Sequence, residues 1–308
     1  MISKDILNKA IYKIKQQKQH AEQIADKNLQ KALLNTEFLN IYQLEKTALI
    51  ENAKCEVYNQ KKLYNIKDIE TKRKQILQKL NIDEKSLLPN YKCNICKDTG
   101  YLQGKMCTCL KAIINEELYK QSGLNHKLNS FENMNCSIFE DSKKIKNLYD
   151  TMKKWCNCPS SAYLNIVLTG KTGVGKTFLM ECMANELIKN GNIVFWTSAF
   201  NLNQLLLKYH TTFDDNKTNY ISNLLEAEYL FVDDLGCEPT LKNVTVEGIY
   251  NVLAERVENN KKTIISTNLN LKEIQDKYGE RVFSRLLNKS NSLCINIENK
   301  DLRLIKKS

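Results

Sequence analysis

The sequence predicts an α/β fold, a parallel sheet flanked by helices, preceded by an α-helical N-terminal region with a small cysteine knuckle. Three observations carry that expectation. A Gly-rich octet, GKTGVGKT at Gly170–Thr177, stands between an apolar run at Leu164–Leu168 and a helical stretch at Phe178–Ile188. Beyond Gly191, short apolar runs (IVFWTS, LFVDDL, TIISTN) alternate with helix-patterned segments, the order that builds parallel strands joined by crossover helices. Residues 1–88 contain neither Gly nor Pro and are rich in Lys, Gln, Asn, Glu, Leu and Ile, a helical composition.

In chain order, apolar residues of the first region recur at helical spacing: Ile6, Ala10 and Ile14, then Leu29, Leu33 and Leu34, then Ile41, Leu44 and Ala48. Two to four amphipathic helices are expected over residues 1–90, their apolar faces packed on one another or laid against a partner. Cys93, Cys96, Cys107 and Cys109 follow, as two cysteine pairs with Gly100 and Gly104 supplying turns between them. Four thiolates at this spacing suit a closed tetrahedral Zn²⁺ site over residues 91–111, although the second pair is C-x-C and four reduced cysteines in a loop would read the same way. Such a site would be structural, because no coordination position stays open for chemistry. A linker helix ended by Gly123 and a connecting stretch at His126–Asn135 occupy residues 112–135, and residues 136–308 form the α/β domain. Cys156 and Cys158 have no second pair nearby and read as ordinary thiols.

The whole-chain quantities bound the setting. At 308 residues a large domain and a smaller one can each bury a core. The formal net charge of +11 favours an anionic partner such as nucleic acid, or reflects a Lys- and Asn-rich composition alone. Eleven cysteines, no secretory h-region at the N-terminus and no apolar run near the roughly 20 residues of a membrane span lead us to expect a cytoplasmic protein.

The octet fits a phosphate cradle. Gly170, Gly173 and Gly175 let the backbone turn tightly enough to aim N–H groups at phosphate oxygens. Thr172, Val174 and Phe178 complete the expected nucleotide contacts. Lys176 would reach the β and γ phosphates, and Thr177 would ligate Mg²⁺ through its hydroxyl. The run ending in Asp233 and Asp234 delivers carboxylates at the carboxyl end of a strand, where Asp233 would hold Mg²⁺ and Asp234 would orient or deprotonate the attacking water. Asn268 closes TIISTN and either reaches the γ-phosphate and water or simply ends the strand in a turn. Arg281 and Arg285, four apart, share a helix face, which is either solvated or presented to a neighbouring subunit's nucleotide.

Taken in this order, GKTGVGKT at 170–177, LFVDDLGCE at 230–238, STNL at 266–269 and GERVFSRLL at 279–287 resemble the bacterial replicative helicase loaders of the DnaC/DnaI type, within the AAA+ ATPases, with IstB-type transposition helpers as relatives. The cysteine segment is similar to one found in some clostridial members. The resemblance implies that Asn268 senses the γ-phosphate, that Arg285 acts in trans as an arginine finger with Arg281 beside it, and that Arg303 is a second sensor. It implies that SAFNLNQLLLKYH lines a single-stranded DNA channel, with Lys208 and His210 as its basic groups. About twenty residues after Arg285 leave room only for a minimal lid. ATP with Mg²⁺ would be the ligands, and hydrolysis would be slow and stimulated by DNA or self-assembly through the ATPase domain. The expected function is ATP-dependent loading of a hexameric replicative helicase onto single-stranded DNA. A duplex-directed transposition helper and a nucleotide-switched adaptor with little turnover are the alternatives.

Overall fold

A computed structural model describes residues 2–158, 163–213 and 217–304. The chain folds as two compact units, one formed by residues 12–105 and the other by residues 1–11 with 106–308. That division runs through the first helix and through the cysteine segment, instead of following the composition shifts near residues 90, 111 and 135.

In the helical unit, α1 (Lys4–Leu33), α2 (Thr36–Val57) and α3 (Ile66–Lys79) follow one another. The α1–α2 turn is short because Asn35 caps α2, its side chain accepting from the Phe38 N–H at 2.9 Å. Ala32, Phe38, Ile41, Ala48, Ile69 and Leu77 bury one another, so the helices of this region form their own small core. Asn52 ties the α2–α3 loop, accepting from the N–H groups of Leu63 and Tyr64 and donating to the Tyr64 carbonyl. A hairpin of β1 (Tyr101–Leu102) and β2 (Lys105–Met106) turns at Gln103 and Gly104, both at positive φ.

The α/β unit begins with the N-terminus itself, where Ile2, Ile6 and Ala10 are buried and the Ser3 N–H donates to Asn223 at 3.0 Å. After α4 (Thr108–Gln121) and α5 (Ser142–Asn157) come β3 (Asn165–Thr169), α6 (Lys176–Lys189), β4 (Val194–Ser198), α7 (Ala199–Thr211), α8 (Lys217–Glu226), β5 (Tyr229–Leu235), α9 (Thr245–Glu258), β6 (Lys262–Thr267), α10 (Leu271–Leu286) and β7 (Ser292–Asn296). The five strands β3–β7 pair in parallel in the order β4-β5-β6-β3-β7. β3 is buried along its whole length, as expected of a strand covered on both faces. The core gathers Ile166, Leu168, Leu179, Met183, Trp196 and Phe231, with Trp196 stacked on Phe231 at 5.5 Å.

One detail differs from a reading by segment. The helix expected as a linker, α4, packs on the sheet edge: Asn115 donates to the Asn192 carbonyl and accepts from the Val194 N–H. Helix α10 is interrupted at Gly279 (φ 78°, ψ 169°), so it is two short helices in one direction of chain. Beyond β7 the described chain is a strap without a helical lid, ending in a 3₁₀ turn at Leu302–Leu304. No helix among the described residues is long and apolar enough to cross a membrane.

Candidate functional site: a phosphate cradle and a four-cysteine cluster

The carboxyl ends of β3, β5 and β6 meet because these strands are neighbours in the sheet, and their side chains surround the octet. Gly170 and Gly173 are required by space as well as by positive φ: a Cβ at Gly170 would strike the Ile297 carbonyl, and one at Gly173 would strike the Asp301 carboxylate. Both obstacles belong to the C-terminal strap. The strap is held by the Ile297 N–H donating to Thr169 O at 2.8 Å and the Leu302 N–H donating to Gly173 O at 2.9 Å.

Lys176 opens α6 and is buried, its Nζ donating to Gly170 O at 2.7 Å, Lys171 O at 2.8 Å and Asn268 Oδ1 at 2.8 Å. Burial lowers its pKa, opposed by Asp234 and Asp233 and assisted by Arg303. At the next residue, Thr177 Oγ1 donates to Asp233 Oδ1 at 3.1 Å, and Ser266 Oγ donates to the same oxygen at 2.5 Å. Burial pushes the Asp233 carboxyl up, against the pull of these hydroxyls and with the Asp234 charge adding to the rise.

Adjacent strand residues ordinarily point to opposite faces, so a β-bulge is needed to bring two neighbouring aspartates to one site. The β5–β6 register shifts between Val232 and Leu235, and Asp234 takes a φ of 57°. The Ser266 Oγ accepts from the Asp234 N–H at 2.8 Å and so holds the bulge from the neighbouring strand.

A cavity of about 440 Å³ opens over the cradle. Thr172, Gly173, Gly175, Lys176, Thr177, Phe178, Asp234, Asn268 and Arg303 line it, while Val174 is buried beneath the loop. Its apolar wall is Met134, Ile138, Phe139 and Leu302, none of which the sequence pattern singled out. Arg303 is exposed and pairs with Asp301, Nε to Oδ1 and Nη2 to Oδ2 each at 3.0 Å. Arg281 and Arg285 do not line the cavity; they lie on the second half of α10, against Tyr250.

Sequence reasoning also missed Glu181, whose buried carboxylate pins the connecting stretch to α6. It meets His126 Nε2 at 2.9 Å and accepts from Asn129 Nδ2 at 2.6 Å and the Asn129 N–H at 3.2 Å. Ser266 could have been found, since it sits two residues before Asn268 and strand alternation puts both on one face.

The sulfurs of Cys93, Cys96, Cys107 and Cys109 all lie within 4.8 Å of one another, a group able to hold a metal ion. Tetrahedral thiolate coordination at about 2.3 Å per Zn–S bond separates sulfurs by about 3.8 Å, inside that limit, so the donor set fits zinc. Polar support is present around the first pair. The Gly100 N–H donates to Cys96 Sγ at 3.4 Å, and the buried Asp98 accepts from the N–H groups of Lys92 and Cys93 at 2.9 and 2.8 Å.

The model of the family described as "IstB-like ATP binding protein" matches residues 124–308, the stretch that carries every element of the cradle. Among curated proteins, the chain is 26% identical over 255 residues to the phage-like element PBSX protein XkdC of Bacillus subtilis, covering 69% of this chain and 90% of XkdC. It is 25% identical over 123 residues to the replicative helicase loader DnaC of Escherichia coli, covering 40% of this chain and about half (49%) of DnaC. A crystal structure of DnaI aligns with a TM-score of 0.44 at 21% identity, covering 57% of this chain and 90% of that one. With the five-stranded parallel sheet and the Gly170–Thr177 loop inside the matched stretch, the chain belongs to the IstB-like ATP-binding protein family.

Proposed function

We propose that the protein is an ATP-hydrolysing loader that helps place a hexameric replicative helicase on single-stranded DNA. One observation carries the nucleotide part of this reading. Lys176, Thr177, Asp234, Asn268 and Arg303 converge on a single cavity beside Asp233, and that cavity ends in an apolar wall. Its size suits one nucleotide, with the polyphosphate on the cradle and the base against Met134, Ile138 and Phe139.

Each polar group has a task in phosphoryl transfer. Lys176 exchanges the carbonyls of Gly170 and Lys171 for the β and γ phosphates, a gain because a buried ammonium is better matched by anions than by amide dipoles. Thr177 and Asp233 would hold Mg²⁺, which when bound neutralises charge on the β and γ oxygens. Asp234 orients or deprotonates the attacking water, and Asn268 holds the water or the γ-phosphate by its amide. Arg303 leaves Asp301 for the γ-phosphate, and Arg285, with Arg281 beside it, completes the site of a neighbouring copy. Zn²⁺ on Cys93, Cys96, Cys107 and Cys109 has a structural role.

The partner reading is supported by the similarity to DnaC, and the helical unit is assigned the grip on the helicase. Co-purification of the full chain with the host's replicative helicase, under ATP and under ADP, tests it. Capture supports the loader. Absence of capture under either nucleotide moves the function to a transposition helper, the alternative favoured by the IstB-like match over residues 124–308. In that case duplex DNA binds more tightly than single-stranded DNA. A hydrolysis rate indifferent to any DNA would instead indicate a nucleotide-switched adaptor.

A further inference from the structure

Arg281 and Arg285 share an anchor that the sequence pattern does not mark. Tyr250, on α9, is half-buried, and the Arg281 guanidinium lies over its ring, 4.3 Å from the centroid. Hydrogen bonding from Arg281, and next from Arg285, holds the Tyr250 phenol below its ordinary range, in keeping with the seat of Arg281 on the ring face.

The backbone around the pair is held as well. Before the Gly279 break, Tyr278 donates to the buried Glu238 carboxylate, and Lys277 Nζ donates to Gly236 O at 2.5 Å and Glu238 O at 3.1 Å. After it, Asn165 Nδ2 donates to Arg285 O at 3.0 Å. Two guanidiniums four residues apart repel each other, and long side chains on a solvated face sample many rotamers. An aromatic face and a phenol oxygen attract both, which offsets the repulsion and narrows the rotamer set before any phosphate arrives.

We propose that Tyr250 is the positioning residue for the arginines that this chain offers to a neighbouring copy's nucleotide, setting by its ring and hydroxyl the direction in which Arg281 and Arg285 leave the surface. The inference rests on the trans-arginine reading given above. It assigns Tyr250 no contact with the nucleotide of its own subunit.

Subunit mixing separates the two ideas. Tyr250→Leu removes ring and hydroxyl, Tyr250→Phe removes the hydroxyl alone, and Asp234→Asn subunits keep Tyr250 and both arginines while lacking their own hydrolysis. Tyr250→Leu is expected to lose roughly ten-fold in assembly- or DNA-stimulated kcat with KM for ATP nearly unchanged, since mispositioning costs turnover and not ground-state binding. Tyr250→Phe should lose less. Adding Asp234→Asn subunits should restore turnover to the Tyr250→Leu active sites, which damage to the mutant's own nucleotide site would not permit, and an unchanged melting temperature of Tyr250→Leu sets a local folding defect aside. Full kcat in Tyr250→Leu, or a loss that mixing does not rescue, would overturn the proposal. Arg285→Ala is run in parallel. If it is rescued by mixing while Tyr250→Leu stays fully active, only the role of Tyr250 is wrong. If Arg285→Ala itself keeps full activity, the trans-arginine reading fails and the Tyr250 proposal with it.

Discussion

Lys176 donates three hydrogen bonds to its own loop and to Asn268, all of which a polyphosphate can replace. Lys176→Ala therefore removes charge-assisted contacts of about 1.5–3 kcal/mol, and a fluorescent ATP analogue should bind about 10- to 100-fold more weakly in a titration. Asp233 gives the opposite sign on stability. Burial raises its folded pKa above the ordinary 3.8, so its charged form costs stability at neutral pH, and that cost fades as pH falls through the folded pKa towards the unfolded one. Asp233→Asn should melt higher than the parent at neutral pH, with the gap closing as the buffer is taken down to about pH 4. It should also lose the stabilisation that Mg²⁺ with ATP confers on the parent. A melting scan across pH with no gap at neutrality would contradict the assignment. The paired aspartates, the lysine and the threonine were legible in the sequence because their chemistry depends on spacing along one chain. For Ser266, strand alternation made the face legible but not the role, which comes from the neighbouring strand: it supports both aspartates across the β5–β6 pairing.

At the scale of elements, the strand–helix alternation placed the inner strands of the sheet, because burial on both faces, as along β3, leaves a continuous apolar signature. What holds the crossover helices in place was hidden. Arg256 at the end of α9 is fully buried and donates to Leu224 O at 2.7 Å, Ala227 O at 3.0 Å, Lys262 O at 2.5 Å and Thr263 Oγ1 at 2.9 Å. Burial pulls its pKa down to about 9, so it stays charged at neutral pH and satisfies carbonyls that would otherwise be orphaned. Arg256→Met keeps most of the volume but strands those acceptors, and should cost about 3–5 kcal/mol in denaturant unfolding. In sequence this residue looks like any helix-end arginine. Glu181 is similar: on α6 it reads as a surface acid, yet it anchors His126 and Asn129. Glu181→Ala should release that stretch and speed its cleavage in limited proteolysis while leaving the sheet protected; an unchanged cleavage pattern would show that the stretch is held by other contacts.

For the whole molecule, the cysteine cluster makes a metal prediction. The purified chain should carry about one zinc, removal by chelator should unfold the 93–109 segment, and Cys96→Ser should lower the metal content, as measured by atomic absorption and circular dichroism. A metal-free chain with unchanged spectra would leave the four cysteines as thiols without a metal role. The N-terminus makes a second demand at this scale: Ile2, Ile6 and Ala10 are buried in the same compact unit as the cradle, although composition assigned them to the helical region. By itself, the sequence determined the cradle, the acidic strand end, the cysteine quartet, the helical first region and the parallel sheet. Each of these is written in short-range spacing or in a period of burial, and both survive in a one-dimensional string. Only the tertiary structure decided the bulge that turns Asp234 beside Asp233, the strap that presses Asp301 and Arg303 onto the glycine loop, the apolar wall of the nucleotide cavity and the seat of Arg256. These features join residues far apart in the chain through hydrogen bonds and close approach, and such contacts leave no period in the sequence for a reader to find.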